Sequence, residues 1–564
     1  MDDVDAVQAQ IARNMLASGD YVTARLDGVP YLEKSPLVYW LMAGSYRILG
    51  VHDWSARLPL ALGVLLLCWI TYRFARWAFD ETVATYAGLA LATCIGLFLF
   101  TRILIPDALL TLTTTGAIWA WLRLLDPDEE PRRVHAIGLG VCFGLGLLLK
   151  GLIAVVFPAL AGFAYMACTR QLFALNAWKR LHLFTAGAIA LLIAAPWHVL
   201  ATLHNPPYFA FSLHSGPGEY RGFFWFYFFN EHLLRFLNLR YPRDYNTVPR
   251  ALFWLLNLVW LFPWSAFLPA AARLSYRPIT RAGRVRLMAL CWIAVVMVFF
   301  TFSTTQEYYS MPIYPALALL AGSALASENT RVRAGMRGLQ ITFGLLFGVV
   351  GALLLLVWRT PAQGDISQAL VQHPELYTLS LGHFDDLTLT AFAYLKLPLT
   401  LAALAFALGF LGLTFVRGNV KRIAAICVAM VVFFQAARVA LIRFDGYLGS
   451  YPLARALEKS SPGQLIEADA YYAFSSVFFY SNRSALLWNG RKDNLEYGSY
   501  APGSAKVFID DQKLQWIWSQ PGRYYLLAYG SDVPRLKGLV GESSVHIVAR
   551  NADNYLITNL PLHE

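Results

Sequence analysis

Charged side chains are scarce in this sequence. Asp, Glu, Lys and Arg make up 14% of its 564 residues, whereas an average soluble protein contains about 25%. Hydrophobic residues make up 57%, and several stretches of about 20 residues, the length that crosses a bilayer, contain almost no charge. This composition excludes a cytosolic enzyme and a disordered chain, and it predicts a polytopic α-helical membrane protein.

Cysteines are few, and their positions exclude a secreted scaffold held by disulfide bonds. All six lie in apolar segments rather than in long polar loops, so their spacing indicates no disulfide framework. They are Cys68, Cys94, Cys142, Cys168, Cys291 and Cys427.

The formal net charge of +11 would make nucleic acid a candidate partner for a soluble protein. In a membrane protein, however, Lys and Arg collect in the cytoplasmic connections between spans. Because this rule accounts for the basic excess, we expect the membrane as a partner and no nucleic acid.

Apolar runs bounded by charge predict twelve membrane spans, of which the fourth and fifth meet at Lys150-Gly151 as a tight helical hairpin. The predicted spans are 57–78, 84–101, 105–125, 135–150, 151–168, 183–203, 251–272, 285–303, 311–326, 339–358, 396–417 and 422–441.

The connections between these spans alternate in character. One set is short and basic, and the charge rule predicts that it is cytoplasmic. It contains Arg73, Arg76, Arg132, Arg133, Arg170, Lys179, Arg180, Arg273, Arg277, Arg281, Arg284, Arg286, Arg331, Arg333, Arg337, Arg417, Lys421 and Arg422. The other set is therefore expected to face the periplasm or exterior. It comprises 1–56, 102–106, the Lys150 tip, 204–250, 304–310, 359–395 and the C-terminal tail.

The predicted orientation divides the chain into a first outer loop, 1–56, a membrane domain, 57–444, and an outer α/β domain, 445–564. No apolar span precedes the polar residues 1–35. We therefore expect a further hydrophobic helix upstream, which would bring the number of spans to thirteen; a directly translocated polar N-terminus is the alternative.

The tail after residue 445 alternates polar and apolar residues and contains turn signals, which predicts a small mixed α/β domain. The predicted strands are Gln464–Ala468, Ser475–Tyr480, Lys506–Ile509, Tyr524–Ala528 and His546–Val548, and the predicted helices are Pro452–Lys459 and Gln512–Ser519.

Ionisable residues gather at the outer ends of the predicted spans, where they are costly and usually belong to a functional site. They include carboxylates, cations and a histidine from distant parts of the chain. With the neighbouring tyrosines, they are Asp3, Asp5, Tyr31, Glu33, Lys34, Asp107, Lys150, Glu231, His232, Arg235, Tyr308 and Tyr309.

Each of these residues also has an ordinary structural explanation. Asp107 could cap its helix, Lys150 could extend to the interface, and Glu231 with Arg235 could form an i,i+4 ion pair. The tyrosines could belong to the interfacial aromatic belt, and the acidic residues near the N-terminus could be solvated. Because all of them share one side of the membrane, we favour a site for a phosphorylated lipid.

The loop at 204–250 contains a run of aromatic residues at 223–229, which reads Phe-Phe-Trp-Phe-Tyr-Phe-Phe. Such a segment fits the membrane interface or the surface of a lipid tail. Ordinary packing of a loop helix is the alternative.

Motifs around these residues resemble the GT-C-type membrane glycosyltransferases. The likeness is greatest to the bacterial 4-amino-4-deoxy-L-arabinose transferases that modify lipid A, which are related to protein O-mannosyltransferases. The motifs are Ile11-Ala12-Arg13-Asn14-Met15, Ser18-Gly19-Asp20-Tyr21-Val22-Thr23, Gly28-Val29-Pro30-Tyr31-Leu32-Glu33-Lys34-Ser35-Pro36-Leu37, Lys150-Gly151, Glu231-His232-Leu233-Leu234-Arg235-Phe236 and Tyr309-Ser310-Met311-Pro312.

This resemblance implies thirteen spans in a bacterial inner membrane, a periplasmic C-terminal domain, and a site where the helices meet the periplasmic loops. It also implies a polyprenyl-phosphate-linked sugar as donor. Glu33 and His232 resemble a pair that binds a divalent metal in the family, zinc or a similar ion, so we expect an optional metal there. The family's catalytic aspartate falls on Val4, so Asp3 or Asp5 is expected to replace it.

We therefore expect a glycosyltransferase that moves a sugar from polyprenyl phosphate to an outer-leaflet acceptor, lipid A or a related envelope glycolipid. In this hypothesis Lys34, Lys150 and Arg235 stabilise the departing phosphate, and Asp3, Asp5 or Asp107 deprotonates or orients the acceptor. Tyr31, Tyr308 and Tyr309 are expected to bind substrate. A protein O-glycosyltransferase of the same fold and a transporter or flippase for a lipid-linked sugar are the alternatives.

Overall fold

The structure is a computed structural model, and it describes residues 1–242, 248–327, 329–362 and 388–561. Most of the predicted outer connection 359–395 lies outside the described residues, and so does part of the loop 204–250. The segment predicted to be the first outer loop, 1–56, which we name the first outer segment, contains helices α1 (Asp3–Ser18) and α2 (Leu37–Leu49). Between them, strands β1 (Arg25–Leu26) and β2 (Val29–Pro30) form a small antiparallel hairpin.

The membrane part is built from helices that are apolar on most of their surface. In chain order they are α3 (Asp53–Ala78), α4 (Glu81–Ala92), α5 (Ile95–Phe100), α6 (Asp107–Leu125), α7 (Arg133–Lys150), α8 (Ile153–Cys168), α9 (Leu175–Leu181), α10 (Leu183–His204), α11 (Gly222–Phe224), α12 (Arg250–Trp260), α13 (Leu268–Ala271), α14 (Arg281–Phe302), α15 (Tyr314–Leu325), α16 (Thr330–Val357), α17 (Leu389–Tyr394), α18 (Lys396–Phe415) and α19 (Asn419–Leu448). A π-helix follows α11 at Trp225–Leu234.

Among the described residues, eight helices are long and apolar enough to cross a membrane, and a ninth span results if the bent pair at 250–271 is counted as one. The chain is therefore a multi-pass membrane protein. Each of these eight helices overlaps one of the predicted spans. The hairpin predicted at Lys150 is present, because α7 ends at Lys150 and α8 begins at Ile153.

The other four apolar runs, 84–101, 151–168, 251–272 and 311–326, form short or interrupted helices rather than long straight ones. The run 84–101 is divided between α4 and α5 by a break at Thr93-Cys94. Helix α12 and the segment after it meet at an angle of 95°, and Pro263 lies at this bend, where it cannot continue a helix. Apolar composition predicts burial or membrane contact at these positions, but not helix length.

The C-terminal part forms a six-stranded mixed sheet in the order β5-β4-β3-β6-β8-β7. Its strands are β3 (Gln464–Ala468), β4 (Ala485–Trp488), β5 (Phe508–Ile509), β6 (Tyr524–Tyr529), β7 (His546–Asn551) and β8 (Asn554–Thr558). Its helices are α20 (Tyr451–Lys459), α21 (Ser475–Ser481), α22 (Glu496–Ser499), α23 (Asp511–Ser519) and α24 (Val533–Val540). Strands β5, β4, β3 and β6 are parallel, and β8 and β7 continue the sheet in antiparallel pairs.

The predicted strand Ser475–Tyr480 is wrong, because this segment is helix α21. Helix α21 packs against α1 of the first outer segment. The carboxylate of Asp3 accepts hydrogen bonds from the backbone N–H of Ser476, at 2.7 Å, and from the hydroxyl of Ser450, at 3.1 Å. Phe478 and Phe479, which favour a strand locally, are thus buried in a helix of the C-terminal domain that packs against the first outer segment.

Candidate active site

A cavity of about 350 Å³ lies where the first outer segment meets the ends of the membrane helices. Its walls come from the turn before α2, the start of α6, the α7–α8 hairpin, the π-helix and the residues after α14. The polar side chains that line it are Gln8, Glu33, Lys34, Ser35, Tyr39, Asp107, Lys150, Tyr227, Glu231, His232, Arg235, Ser303, Thr304, Tyr308 and Tyr309.

Asp107 and Lys150 form an ion pair in this cavity. The Nζ atom of Lys150 lies 2.5 Å from Oδ1 of Asp107. The ammonium group also lies over the rings of Tyr308 and Tyr309, 5.3 and 4.9 Å from their centroids, in the geometry of cation–π contacts. Asp107 is 1% exposed, and its Oδ2 atom has no hydrogen-bond partner among the described residues.

The geometry does not support a helix-capping role for the Asp107 side chain. Asp107 is the first residue of α6, and the residue before it, Pro106, makes no side-chain cap. The carboxylate accepts from Lys150 instead of from the first backbone N–H groups of the helix. The helix dipole still favours a negative charge at this end of α6, and one oxygen of the carboxylate has no protein donor in the described structure.

A second group of charges is centred on Arg240, which sequence reasoning did not identify. Arg240 is 8% exposed, and its guanidinium contacts the carboxylate of Glu33 and lies 2.8 Å from that of Glu231. The other oxygen of Glu231 is 3.3 Å from Arg235, which in turn donates to the Tyr309 hydroxyl at 3.2 Å. The predicted i,i+4 pair between Glu231 and Arg235 is thus present, as one part of a larger network.

Lys34 is the cation of this group that has the weakest protein contact. Its Nζ atom is 3.9 Å from Oε2 of Glu33, and its side chain is 37% exposed while that of Glu33 is 2% exposed. The cavity and its ion-pair network together hold Lys34, Lys150, Arg235 and Arg240 against Glu33, Glu231 and Asp107, an excess of one positive charge. An anion entering the cavity is therefore electrostatically favoured.

The π-helix places Glu231 and His232 on the wall of the cavity, and Arg235 follows its last residue. Such helices are rare, and they occur frequently at functional sites. The aromatic run that begins it is largely packed inside the protein: Trp225, Phe226 and Tyr227 are at most 2% exposed. Phe226 stacks on Tyr497 of the C-terminal domain with centroids 3.9 Å apart. Packing, the alternative reading of this run, accounts for these three side chains.

His232 is held in one neutral form by its neighbours. Its Nδ1 lies 2.6 Å from the carbonyl oxygen of Tyr227, and its Nε2 accepts the Leu152 N–H at 3.1 Å. Burial lowers the pKa of His232 to about 4, so the ring is uncharged at neutral pH. Gly151, with a φ of 71°, is required at the hairpin tip because a Cβ atom there would lie 2.1 Å from Nε2 of His232.

The predicted metal pair, Glu33 and His232, does not offer an open donor set in this structure. Both ring nitrogens of His232 are used by backbone groups, and the Glu33 carboxylate is bound by Arg240 and by the Tyr31 hydroxyl. No cluster of three or more metal-ligating side chains occurs in the part of the chain that the structure describes. These residues do not fit a metal ion in the present arrangement, and the metal stays a prediction.

Three of the predicted site residues lie outside the cavity. Asp5 is bound by Arg57 and accepts the Leu104 N–H at 2.7 Å, while Asp3 binds the start of α21 as described above. Tyr31 is 1% exposed, and its hydroxyl donates to Glu33 at 3.0 Å. The structure thus brings Asp107 to the cavity and gives Asp3 and Asp5 structural contacts; their catalytic role stays a prediction.

The chain resembles known proteins both in sequence and in structure. A family model described as dolichyl-phosphate-mannose-protein mannosyltransferase matches residues 33–199, which include Lys34, Asp107 and Lys150. An undecaprenyl phosphate-α-4-amino-4-deoxy-L-arabinose arabinosyl transferase of Enterobacter sp. (strain 638) is 27% identical over 367 residues, 63% of this chain and 60% of the relative. A protein of the same name from Pseudomonas aeruginosa (strain LESB58) is 29% identical over 368 residues, 63% of this chain and 61% of the relative.

The alignments with these two relatives therefore span about 60% of their length. Among solved structures, ArnT from Cupriavidus metallidurans bound to undecaprenyl phosphate superposes with a TM-score of 0.79 at 22% identity, covering 99% of this chain and 93% of that one. The same protein in the apo state gives a TM-score of 0.76 at 21% identity. At this identity the superposition supports the fold, and it extends from the first outer segment through the C-terminal domain.

The resemblance predicted from the early Glu33-Lys34-Ser35-Pro36 motif is confirmed both by sequence similarity and by structural superposition. Sequence similarity connects the chain to the aminoarabinosyl transferases and to the mannosyltransferase family model, and the superposition covers nearly the whole chain. The chain is a multi-pass membrane protein with the GT-C fold and a C-terminal α/β domain, and its fold resembles that of ArnT over nearly its whole length.

Proposed function

We propose that this protein is a glycosyltransferase that moves a sugar from a polyprenyl phosphate carrier to lipid A or a related envelope glycolipid. The donor we favour is undecaprenyl phosphate-linked 4-amino-4-deoxy-L-arabinose, because the relatives are named for it. The observation that carries the proposal is a cavity at the ends of the membrane helices that is lined by Lys34, Lys150 and Arg235 together with Asp107, whose Oδ2 has no partner among the described residues.

The lining of the cavity suits a lipid-linked anion. Part of it is apolar, from Leu104, Leu149, Val156, Phe299 and Phe300 at the ends of membrane helices, and this part fits an isoprenoid chain. The polar part carries the cations. Arg235 can hold a phosphate through two parallel hydrogen bonds, whereas Lys34 and Lys150 act as point charges.

The proposed reaction is a displacement at the anomeric carbon. An acceptor oxygen forms a bond to this carbon while the bond from the carbon to the phosphate oxygen breaks, and its electron pair leaves with the polyprenyl phosphate. The phosphate gains charge as it departs, so cations already in position stabilise the transition state more than the ground state. Lys34, whose ion-pair partner among the described residues is Glu33 at 3.9 Å and whose side chain is 37% exposed, is the cation best suited to move toward this charge.

We propose that the carboxylate of Asp107 deprotonates or orients the acceptor. Lys150 occupies Oδ1, and Oδ2 has no partner in the described structure, so Oδ2 can accept the proton of a hydroxyl acceptor. If the acceptor is a phosphate group, no proton needs to be removed, and Asp107 then orients Lys150. Glu33 and Glu231 are less suited to this role because Arg240 binds both.

The proposed site faces the periplasm of a bacterial inner membrane. The predicted cytoplasmic connections contain Arg281 and Arg284, at the end of α14 away from the cavity. The positive-inside rule then places the cavity on the opposite, outer side. An accessible reporter on the C-terminal domain, detected in intact spheroplasts, would test this orientation; a signal that requires membrane disruption would contradict it.

The activity can be tested with the purified protein. It would be incubated with undecaprenyl phosphate-linked aminoarabinose and lipid A, and the lipid products analysed by mass spectrometry. We expect lipid A that carries one added sugar, and loss of this product with Asp107→Asn. Consumption of no donor, or movement of donor across proteoliposomes without covalent transfer, would contradict the proposal.

A protein acceptor is the second candidate, because the family model that matches residues 33–199 is described as a protein mannosyltransferase. The same assay with a polyprenyl-phosphate-linked mannose and a pool of extracytoplasmic peptides would distinguish the two. Glycosylated peptides in the absence of modified lipid A would favour this candidate.

A further inference from the structure

A chain of hydroxyl groups connects the C-terminal domain to the candidate active site. The side-chain amide of Asn494 donates to the hydroxyl of Tyr472 at 2.9 Å. That hydroxyl is 2.9 Å from the hydroxyl of Tyr31, which donates to Oε2 of Glu33 at 3.0 Å. Glu33 is the neighbour of Lys34 in sequence and the ion-pair partner of Arg240.

The direction of the hydrogen bonds in this chain follows from the chemistry of its two ends. A carboxylate bound to Arg240 accepts hydrogen bonds and does not donate them, so the Tyr31 hydroxyl donates to Glu33. An amide nitrogen only donates, so the Tyr472 oxygen accepts from Asn494. Because the Tyr31 proton is used for Glu33, the Tyr472 hydroxyl is the donor in the contact between the two hydroxyls.

The same segment of the C-terminal domain also holds the other side of the Glu33–Arg240 ion pair. Both oxygens of Glu496 accept from the hydroxyl of Tyr241 at 3.0 Å, and Tyr241 follows Arg240 in the chain. Gly498 packs directly on the strand that leads to Glu33, because a Cβ atom there would lie 1.8 Å from the carbonyl oxygen of Pro30. Residues 494–498 therefore contact the chain on both sides of this ion pair.

We infer that the C-terminal domain completes the active site, with Tyr472 and Asn494 as positioning residues that hold Glu33 and, through it, Lys34 and Arg240. The inference rests on the proposed function for what these cations do, which is to receive the charge of the departing phosphate. Tyr472 and Asn494 do not line the cavity, so they act through Tyr31 and Glu33 rather than on the substrate.

Tyr472→Phe tests the inference in the full-length protein. The loss of one hydrogen bond in the chain is expected to lower kcat about three- to tenfold, with the KM for the donor changed less than about twofold, because the effect arises as the phosphate departs. Tyr525→Phe is the matched control, since the hydroxyl of Tyr525 donates to Ser461 within the same domain at 2.7 Å. We expect the control to keep wild-type kcat.

A double variant shows whether Tyr472 acts through Tyr31. If it does, Tyr31→Phe breaks the chain by itself, and Tyr31→Phe with Tyr472→Phe is no slower than Tyr31→Phe alone. Effects that multiply would mean that the two residues act independently, and they would overturn the inference, as would wild-type kcat in Tyr472→Phe.

Substitutions of Asn494 provide a readout that a merely structural role would not produce. Asn494→Asp replaces the donor by an acceptor, which turns the Tyr472 proton away from Tyr31, so its kcat is expected to fall as far as that of Tyr472→Phe. Asn494→Ala removes the donor without turning this proton, and a smaller loss is expected. Equal kcat values for the two Asn494 variants would contradict the relay.

Failure of this inference and failure of the proposed function can be distinguished. If the wild-type protein transfers no sugar from a polyprenyl phosphate donor, the proposed function fails. If the wild-type protein is active and Tyr472→Phe equals it, only the inference about the C-terminal domain fails.

Discussion

Helix α6 carries a buried aspartate at each end, and the two have opposite surroundings. Asp126, at the C-terminal end, accepts from Arg281 and from Arg284, each at 2.7 Å, so both of its oxygens are paired. Asp107, at the N-terminal end, accepts from Lys150 with one oxygen and has no partner for the other among the described residues. Both residues are at most 2% exposed.

The different surroundings indicate different roles for the two carboxylates. A carboxylate at a helix C-terminus is opposed by the helix dipole, so Asp126 requires its two arginines and serves to join α6 to α14. The dipole favours Asp107, which lines a cavity and keeps an oxygen without a described donor. Complete pairing is typical of a structural charge, and an unpaired polar atom in a cavity is typical of a functional one.

The largest expected effect is that of Asp107→Asn on activity. Asn cannot accept a proton, so loss of a general base predicts a fall in transfer rate of about a hundred- to ten-thousandfold. Asp126→Asn is the matched control at the other end of α6, and its activity per folded molecule should stay near wild type. The rate would be measured with purified donor and acceptor, and an active Asp107→Asn protein would remove Asp107 from the chemistry.

The cations of the cavity are expected to have the next largest effect. Lys34→Ala and Arg235→Ala should each lower transfer about thirty- to a thousandfold, from the loss of about 2–4 kcal/mol of transition-state stabilisation. Lys421→Ala, in a predicted cytoplasmic connection, is the control for loss of an exposed lysine. Near-normal rates in both cavity variants would mean that the leaving phosphate binds elsewhere.

We expect Asp126→Asn to lower stability more than Asp107→Asn does, which is the reverse of the order expected for activity. Asp126→Asn leaves Arg284, which is 7% exposed, without one of its partners, and breaking a buried ion pair costs about 3–5 kcal/mol. We expect a clear loss in the free energy of unfolding, measured by denaturant titration in detergent micelles. A larger loss in Asp107→Asn than in Asp126→Asn would reverse the assignment of the two ends.

A third buried carboxylate gives the smallest expected effect. Glu307 lies in the turn that packs against α6 and has an unpartnered Oε2 in the described structure, but it does not line the cavity. Burial raises the pKa of Glu307 to about 7. The folded state thus binds more protons than the unfolded state between about pH 4.5 and 7, and stability should fall as the pH rises through this range.

Glu307→Gln removes this titration while it keeps the shape of the side chain. Its Tm should fall less than that of the wild type as the pH rises from 5 to 8, and its transfer rate should be unchanged. Glu458→Gln, at an exposed glutamate, is the control and should keep the wild-type pH dependence of Tm. A strong loss of transfer in Glu307→Gln would show that a carboxylate outside the cavity takes part in the reaction.

Part of the C-terminal domain could be predicted residue by residue. The strand at Gln464–Ala468 and the helix end at Ser519 lie where the local pattern predicts them, because alternation and turn residues act over a few positions. The strand predicted at Ser475–Tyr480 is a helix, since the contacts with α1 and Asp3 come from residues more than 400 positions away. Local propensity includes no information about such contacts.

Some residues of the candidate site could likewise be predicted from the sequence, and one could not. Lys34, Asp107, Lys150 and Arg235 could be chosen from the sequence because charges are costly near membrane spans. Arg240 could not, because it lies in a polar loop where an arginine is ordinary. Its burial between Glu33 and Glu231 depends on how the loop after the π-helix folds back on the first outer segment.

A multi-pass membrane protein with a small α/β domain and a group of charges near the ends of its spans can be inferred from the sequence alone, because composition and the spacing of apolar runs are set by the bilayer and by strand and helix periodicity. Which of the candidate acids Asp3, Asp5 and Asp107 lines the cavity depends on long-range packing, and it is Asp107. The packing of the domains also places Tyr472 against Tyr31 and hence behind Glu33, since a hydrogen bond between residues 441 positions apart in the chain forms only once the domains are packed together.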